Sequence, residues 1–269
     1  MSDPITLYGL TAVPADSTKL SPATTSPQPV SLDSLLPLPS TPLASRVHQY
    51  VQSELSPDTY RHSIRVYLYG KAIFRECFPQ YGLGSDGGGE LDESWFLTAL
   101  LHDIGTTDKN IKSTRLSYEF WAGYHALDLL QNSTSTSSTS PSVRTGEGYS
   151  TQTQSDIACK DQAESIAEAI IRHQDIQDTG NITLLTRLIH LGTLLDNIGK
   201  GSELIHGDTI KEIIKAYPRP GWSGCFATTV KKEKELKPYT MVSRIDGFEE
   251  LIMKNGRDGV TGKYDTIEG

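Results

Sequence analysis

The run LLHDIGTT, Leu100 to Thr107, sets a histidine beside an aspartate at the end of an apolar segment. Ser94 to Ile104 carries Trp95, Phe96, Leu97, Leu100, Leu101 and Ile104 on most of its faces, so it reads as a buried helix with Gly105 as its stop. His102 and Asp103 then fall in its last turn. Neighbouring helical residues point about 100° apart, so both reach one cation only if it lies against the helix wall between them. The remaining donors must come from other helices, which restricts the fold to one that gathers several helices at that point. Taken alone, the dipeptide is explained as well by a helix-end histidine bonded to its surroundings.

Three further segments carry suitable groups. The spacing predicts a helix from about Asp58 to Phe78, with Ser56 as N-cap and Pro57 at its first position, and His62 lies near its start. A second helix is expected over Ala163 to Asp175, where Ile166, Ile170 and His173 share one face. In a third, from Ile182 to about Ile198, Leu185, Leu188, Ile189, Gly192 and Asp196 line one broad side, and Gly192 leaves room for close packing. A carboxylate in such a stripe is costly unless it is paired or meets a cation, so Asp196 demands a partner. His62, His102, Asp103 and Asp196 make a set of two imidazoles and two carboxylates that suits zinc, iron or manganese and leaves a position open for water. Singly, each has an ordinary alternative: Asp196 a local salt bridge, His62 a satisfied core histidine.

The order His62, His102-Asp103, Asp196 resembles the HD superfamily of metal-dependent, all-helical hydrolases and lyases. Within it the chain is similar to the fungal cyanamide hydratases over nearly its whole length. The matching stretches are YGLTAVP (Tyr8 to Pro14), HSIRVYLYG (His62 to Gly70), LLHDIGTT, EAIIRHQD (Glu168 to Asp175), LDNIG (Leu195 to Gly199), YPRPGW (Tyr217 to Trp222) and FATTVKKEKELKPY from Phe226. The resemblance implies a zinc ion held by His62, His102, Asp103 and Asp196, hydration of the nitrile carbon of cyanamide to urea, and a homo-oligomer.

Cyanamide is small and nearly neutral, so catalysis must come from activating water and stabilising charge on nitrogen. On this reading the catalytic groups are Asp103 and His173, with His173 shuttling the proton or orienting the substrate; a core histidine satisfied by a backbone carbonyl explains His173 equally well. Thr106, Thr107 and Asn110, just past the HD helix, and Asn197, beside Asp196, are the neutral groups expected to hold the substrate, although capping and turn formation are the commoner uses of Thr and Asn.

An all-α fold is expected, since the periodic segments are all helical and no alternating strand run stands out. Residues 1–42 read as an N-terminal arm, partly extended or disordered, with Lys19 to Pro42 rich in Ser, Thr and Pro; residues 43–269 read as one catalytic domain. Ser and Thr make up more than half of Gln131 to Ser155, a stretch expected to be a flexible insertion. The formal charge of −8, with no basic cluster beyond Lys231-Lys232, argues against nucleic acid or an anionic membrane as partner. No apolar stretch has membrane-spanning length, the start lacks the pattern of a signal peptide, and Cys77, Cys159 and Cys225 suit reduced thiols, so a cytoplasmic location is expected.

Two rival readings stand beside the hydratase. A phosphohydrolase acting on nucleotides would use Lys109, Lys112, Arg115 or Arg172 to meet a phosphate. A non-catalytic metal or ligand sensor would keep the donors without turnover.

Overall fold

A computed structural model of the chain describes residues 3–83, 89–132 and 155–264, and helices dominate it. The expected insertion at 131–155, apart from its first two residues and its last, lies outside the described residues, as does most of Gly82 to Gly89.

After a short α1 (Pro4–Leu7), strand β1 (Ala12–Pro14) and a short α2 (Leu32–Leu35), the body begins with α3 (Pro42–Glu54) and α4 (Pro57–Cys77). Next come α5 (Glu90–Leu101), α6 (Asp108–Ser113), α7 (Tyr118–Gln131), α8 (Lys160–Ile171), strand β2 (Asn181–Thr183) and α9 (Leu184–Ile198). The chain closes with α10 (Gly207–Ala216), α11 (Trp222–Leu236) and α12 (Phe248–Asp258). The fold is all-α, the only strands among the described residues being a three-residue antiparallel pair that joins Val13 to Ile182.

Helix α4 starts as its sequence specifies. The Ser56 side chain accepts from the Thr59 amide, and Pro57, with no amide to satisfy, takes the first position. It is buried from His62 to Phe74 and packs against both α5 and α9. Gly192 permits the α9 contact: a Cβ there would come within 2.9 Å of the Val66 carbonyl oxygen.

The arm is more firmly held than its composition suggests. Val13, Ala15, Val30 and Leu35 are buried in the main core. The Val30 amide donates to Thr209 Oγ1, and Arg187 donates to the carbonyls of Pro14 and Ala15. Between these anchors most of residues 19–42 is exposed and extended.

A smaller apolar cluster, with Trp222, Phe226, Val230 and Phe248, joins α11 to α12 beside the main core. All three cysteines are free, and no helix among the described residues is long and apolar enough to cross a membrane.

Candidate metal centre

The two histidines expected at the same centre from α5 and α8 end their helices in the same way. α5 stops at Leu101 and α8 at Ile171, earlier than periodicity suggests, so His102 and His173 sit just beyond the helical residues. Each turns its Nδ1 onto the carbonyl three residues back: His102 donates to Ala99 at 2.8 Å, and His173 to Ile170 at 2.7 Å. Helix ends leave carbonyls short of α-helical partners, and here the imidazoles bond to two of them, the Ile170 carbonyl also accepting from the His173 amide at 3.3 Å. Because a carbonyl only accepts, Nδ1 carries the proton in both rings, and in its neutral form each ring presents a bare Nε2.

His62 reaches the same state by another route. Its Nδ1 donates to Asp196 Oδ2 at 2.6 Å, while its ring stacks on Trp222 with centroids 4.3 Å apart. Its Nε2 lies 3.3 Å from His102 Nε2 and 3.6 Å from Asp103 Oδ2, and His102 Nε2 lies 3.3 Å from the same oxygen. His173 Nε2 stands 3.9 Å from Asp103 Oδ1.

Asp103 is 1% exposed, and neither of its oxygens has a hydrogen-bond partner. Two lone pairs facing each other at 3.3 Å beside such a carboxylate repel unless a proton or cation lies among them. Among the described residues, His62, His102 and Asp103 are brought close enough together to hold one metal ion, and the unpartnered carboxylate is the observation that fits them to it.

Asp196 stands apart from that group, unlike the sequence expectation. Arg65 donates to Oδ1 from Nε at 2.9 Å and to Oδ2 from Nη2 at 2.8 Å, and Arg219 lies 3.7 Å from Oδ1. Burial, the largest influence, favours the neutral acid, but the two guanidiniums outweigh it and hold Asp196 well below the usual carboxylate range. The partner that a carboxylate in an apolar stripe demands is thus supplied by arginines, and Asp196 faces His62 from behind. Burial also pushes His173 down to about 3, so its ring is neutral at ordinary pH.

The neutral residues expected to hold a substrate have local partners. Thr106 Oγ1 donates to the Asp103 carbonyl, Thr107 Oγ1 caps α6 by accepting from the Asn110 amide, and Asn110 Nδ2 donates to the Ile104 carbonyl. Together they set the turn that follows the dyad. Asn197 Oδ1 accepts from Trp222 Nε1 at 2.9 Å and so fixes the ring on which His62 stacks. Gly105 lets this turn lie against α7, since a Cβ there would be 2.3 Å from the Tyr118 carbonyl oxygen.

Several contributors went unassigned in the sequence. Arg65 falls one turn after His62, and Arg219 and Trp222 lie in YPRPGW; the available signal was that Asp196, in an apolar stripe, demands a partner. Tyr118 offers its hydroxyl to His173 Nε2 at 3.2 Å and accepts from Gln174 Nε2 at 3.0 Å. The adjacent Glu119 is fully buried with both carboxylate oxygens unpartnered, and burial, aided by Glu233 and Asp103, raises it to about 8.

No family model matches the chain. The chain is 34% identical over 249 residues to cyanamide hydratases DDI2 and DDI3 of Saccharomyces cerevisiae, covering 92% of its own length and 96% of each relative. The chain belongs to the cyanamide hydratase family. The likeness extends far beyond the donor group. The cations that a phosphate would need are partly engaged, Lys112 with Asp108 at 3.1 Å and Arg172 with Glu168 at 3.5 Å and Asp175 at 3.4 Å.

Proposed function

We propose that the protein is a zinc-dependent cyanamide hydratase of the HD type, adding water across the nitrile of cyanamide to give urea. The observation that carries this is the unpartnered Asp103 carboxylate facing the bare Nε2 atoms of His62 and His102, in a chain of the cyanamide hydratase family. Two imidazoles and one carboxylate are three protein donors, the number that leaves a catalytic metal one open position. When bound there, zinc supplies Lewis-acid activation of water and of the nitrile.

The rest is the work of the chain's own residues. Asp196 orients His62 through Nδ1, and Trp222, fixed by Asn197, holds the ring from its face; such supports tune a donor without touching the ion. His173, neutral and held through Nδ1 by Ile170, is the group that takes a proton from the attacking water at Nε2, once the Tyr118 hydroxyl that donates to that atom turns aside. Returned to the nitrile nitrogen, that proton gives isourea, which tautomerises to urea. Thr106, Thr107 and Asn110 shape the wall beside Asp103 where the small uncharged substrate sits. The acidic net charge supports a cytoplasmic enzyme that does not bind nucleic acid or an anionic membrane.

Urea release from cyanamide by the zinc-loaded protein, run beside His102→Ala and beside a phosphate ester as substrate, tests the proposal. Urea from the parent protein alone supports it. Phosphate release without urea indicates the phosphohydrolase, and bound zinc with neither product indicates a sensor.

A further inference from the structure

A cavity of about 370 Å³ lies beneath the N-terminal arm, away from the donor group. Leu20 and Pro22 of the arm, Phe78, Leu204, and Leu191 and Leu194 of α9 line it. None of His62, His102, Asp103 or His173 lines it. Its volume falls in the range of small-molecule sites, and its walls are mainly apolar.

One buried charge is set into that wall. Arg187 lines the cavity and is only 4% exposed. Its Nη2 donates to the carbonyls of Pro14 at 2.7 Å and Ala15 at 2.6 Å, while Nε has no acceptor and no carboxylate among the described residues forms an ion pair with the guanidinium. The nearest acids, Asp16 and Asp178, act on it through space alone. Asp178, Lys200 and Glu203 also line the cavity, but all three are exposed. His190, the other titratable group of the wall, is pushed down by burial to about 4, donates Nε2–H to the Arg172 carbonyl at 2.9 Å, and is uncharged. A buried guanidinium with no ion-paired carboxylate, in the wall of a mainly apolar space, is matched by a planar anion that carries an apolar body.

We propose that this cavity binds a small monocarboxylate, its carboxylate on Arg187 and its hydrocarbon body between Leu20, Leu191, Leu194 and Leu204. The site is separate from the hydration chemistry and does not depend on it.

Calorimetric titration of the full chain with hexanoate, hexanol and hexylamine tests this directly. The expected result is saturable binding of one hexanoate, about tenfold or more tighter than hexanol, with hexylamine weakest. Arg187→Met should abolish the preference for the acid over the alcohol. Because Arg187 also anchors the arm, Leu194→Phe provides a second variant that fills the cavity and leaves the guanidinium in place; it should lose hexanoate binding at an unchanged melting temperature. Equal affinity for acid and alcohol, no saturable binding at millimolar hexanoate, or full affinity in Leu194→Phe would each overturn the proposal.

Discussion

Replacing Glu119 with glutamine should stabilise the protein, by an amount that depends on pH. Glu119 is buried completely, no other residue donates to either oxygen, and its carboxyl is raised from 4.5 to about 8, chiefly by burial, against a smaller opposing pull from its own backbone amide. Below pH 4.5 the folded and unfolded chains both hold the proton, and the group is without effect on the balance. Between 4.5 and 8 the unfolded chain ionises while the folded chain does not, so stability falls by about 1.4 kcal/mol per pH unit. At pH 7 the accumulated loss is about 3 kcal/mol. Glutamine has nearly the same shape and stays neutral in both states, so Glu119→Gln should match the parent near pH 4.5 and exceed it by about 3 kcal/mol at pH 7. Guanidinium unfolding of both proteins at the two pH values measures this, and contributions from every other titrating group cancel in the difference. A gain of the same size at both pH values would refute the reasoning, because it would mean that ionisation of Glu119 is not what burial opposes.

The remaining expectations concern the centre and its supports. Asp196→Asn should weaken metal binding by about 10- to 100-fold, as measured by chelator competition, because His62 loses its anionic partner. The same change leaves Arg65 facing a neutral group and should lower stability by about 3 kcal/mol. His173→Ala should retain the metal while turnover falls by a factor of about 10² to 10⁴; loss of the metal would instead make His173 a donor. Gly192→Ala should cost about 1–3 kcal/mol in denaturant unfolding, since its Cβ would press on Val66 and force α9 away from α4.

Local chemistry made much of this legible. Ser56 and Pro57 announce the start of α4, and the apolar stripe of α9 correctly marked Asp196 as a buried carboxylate that needed a partner. Periodicity could not say which partner. Arg65 is three residues from His62 on the same helix, yet only the crossing of α4 and α9 brings its guanidinium onto Asp196. The ends of α5 and α8 were misjudged for a related reason: the imidazoles of His102 and His173 turn back onto the helix and take the last carbonyls, a competition that an apolar pattern does not record. In the arm, composition pointed to extended chain and the Tyr8 to Pro14 element to a tail packed on the body or on a neighbour, but neither singled out Val30 and Leu35, which are buried in the main core. Trp222 was visible as part of YPRPGW, but stacking on His62 depends on the distant placement of α11.

The central claim is that His62, His102 and Asp103 form a metal centre on which cyanamide hydration depends. Zinc content and urea formation, measured together on the parent protein before and after chelation and on Asp103→Ala, test it most directly. The account predicts one zinc per chain and urea from the parent, loss of both on chelation with recovery of both when zinc returns, and neither in the variant. Full zinc occupancy in Asp103→Ala, or undiminished urea formation after complete removal of metal, would contradict it.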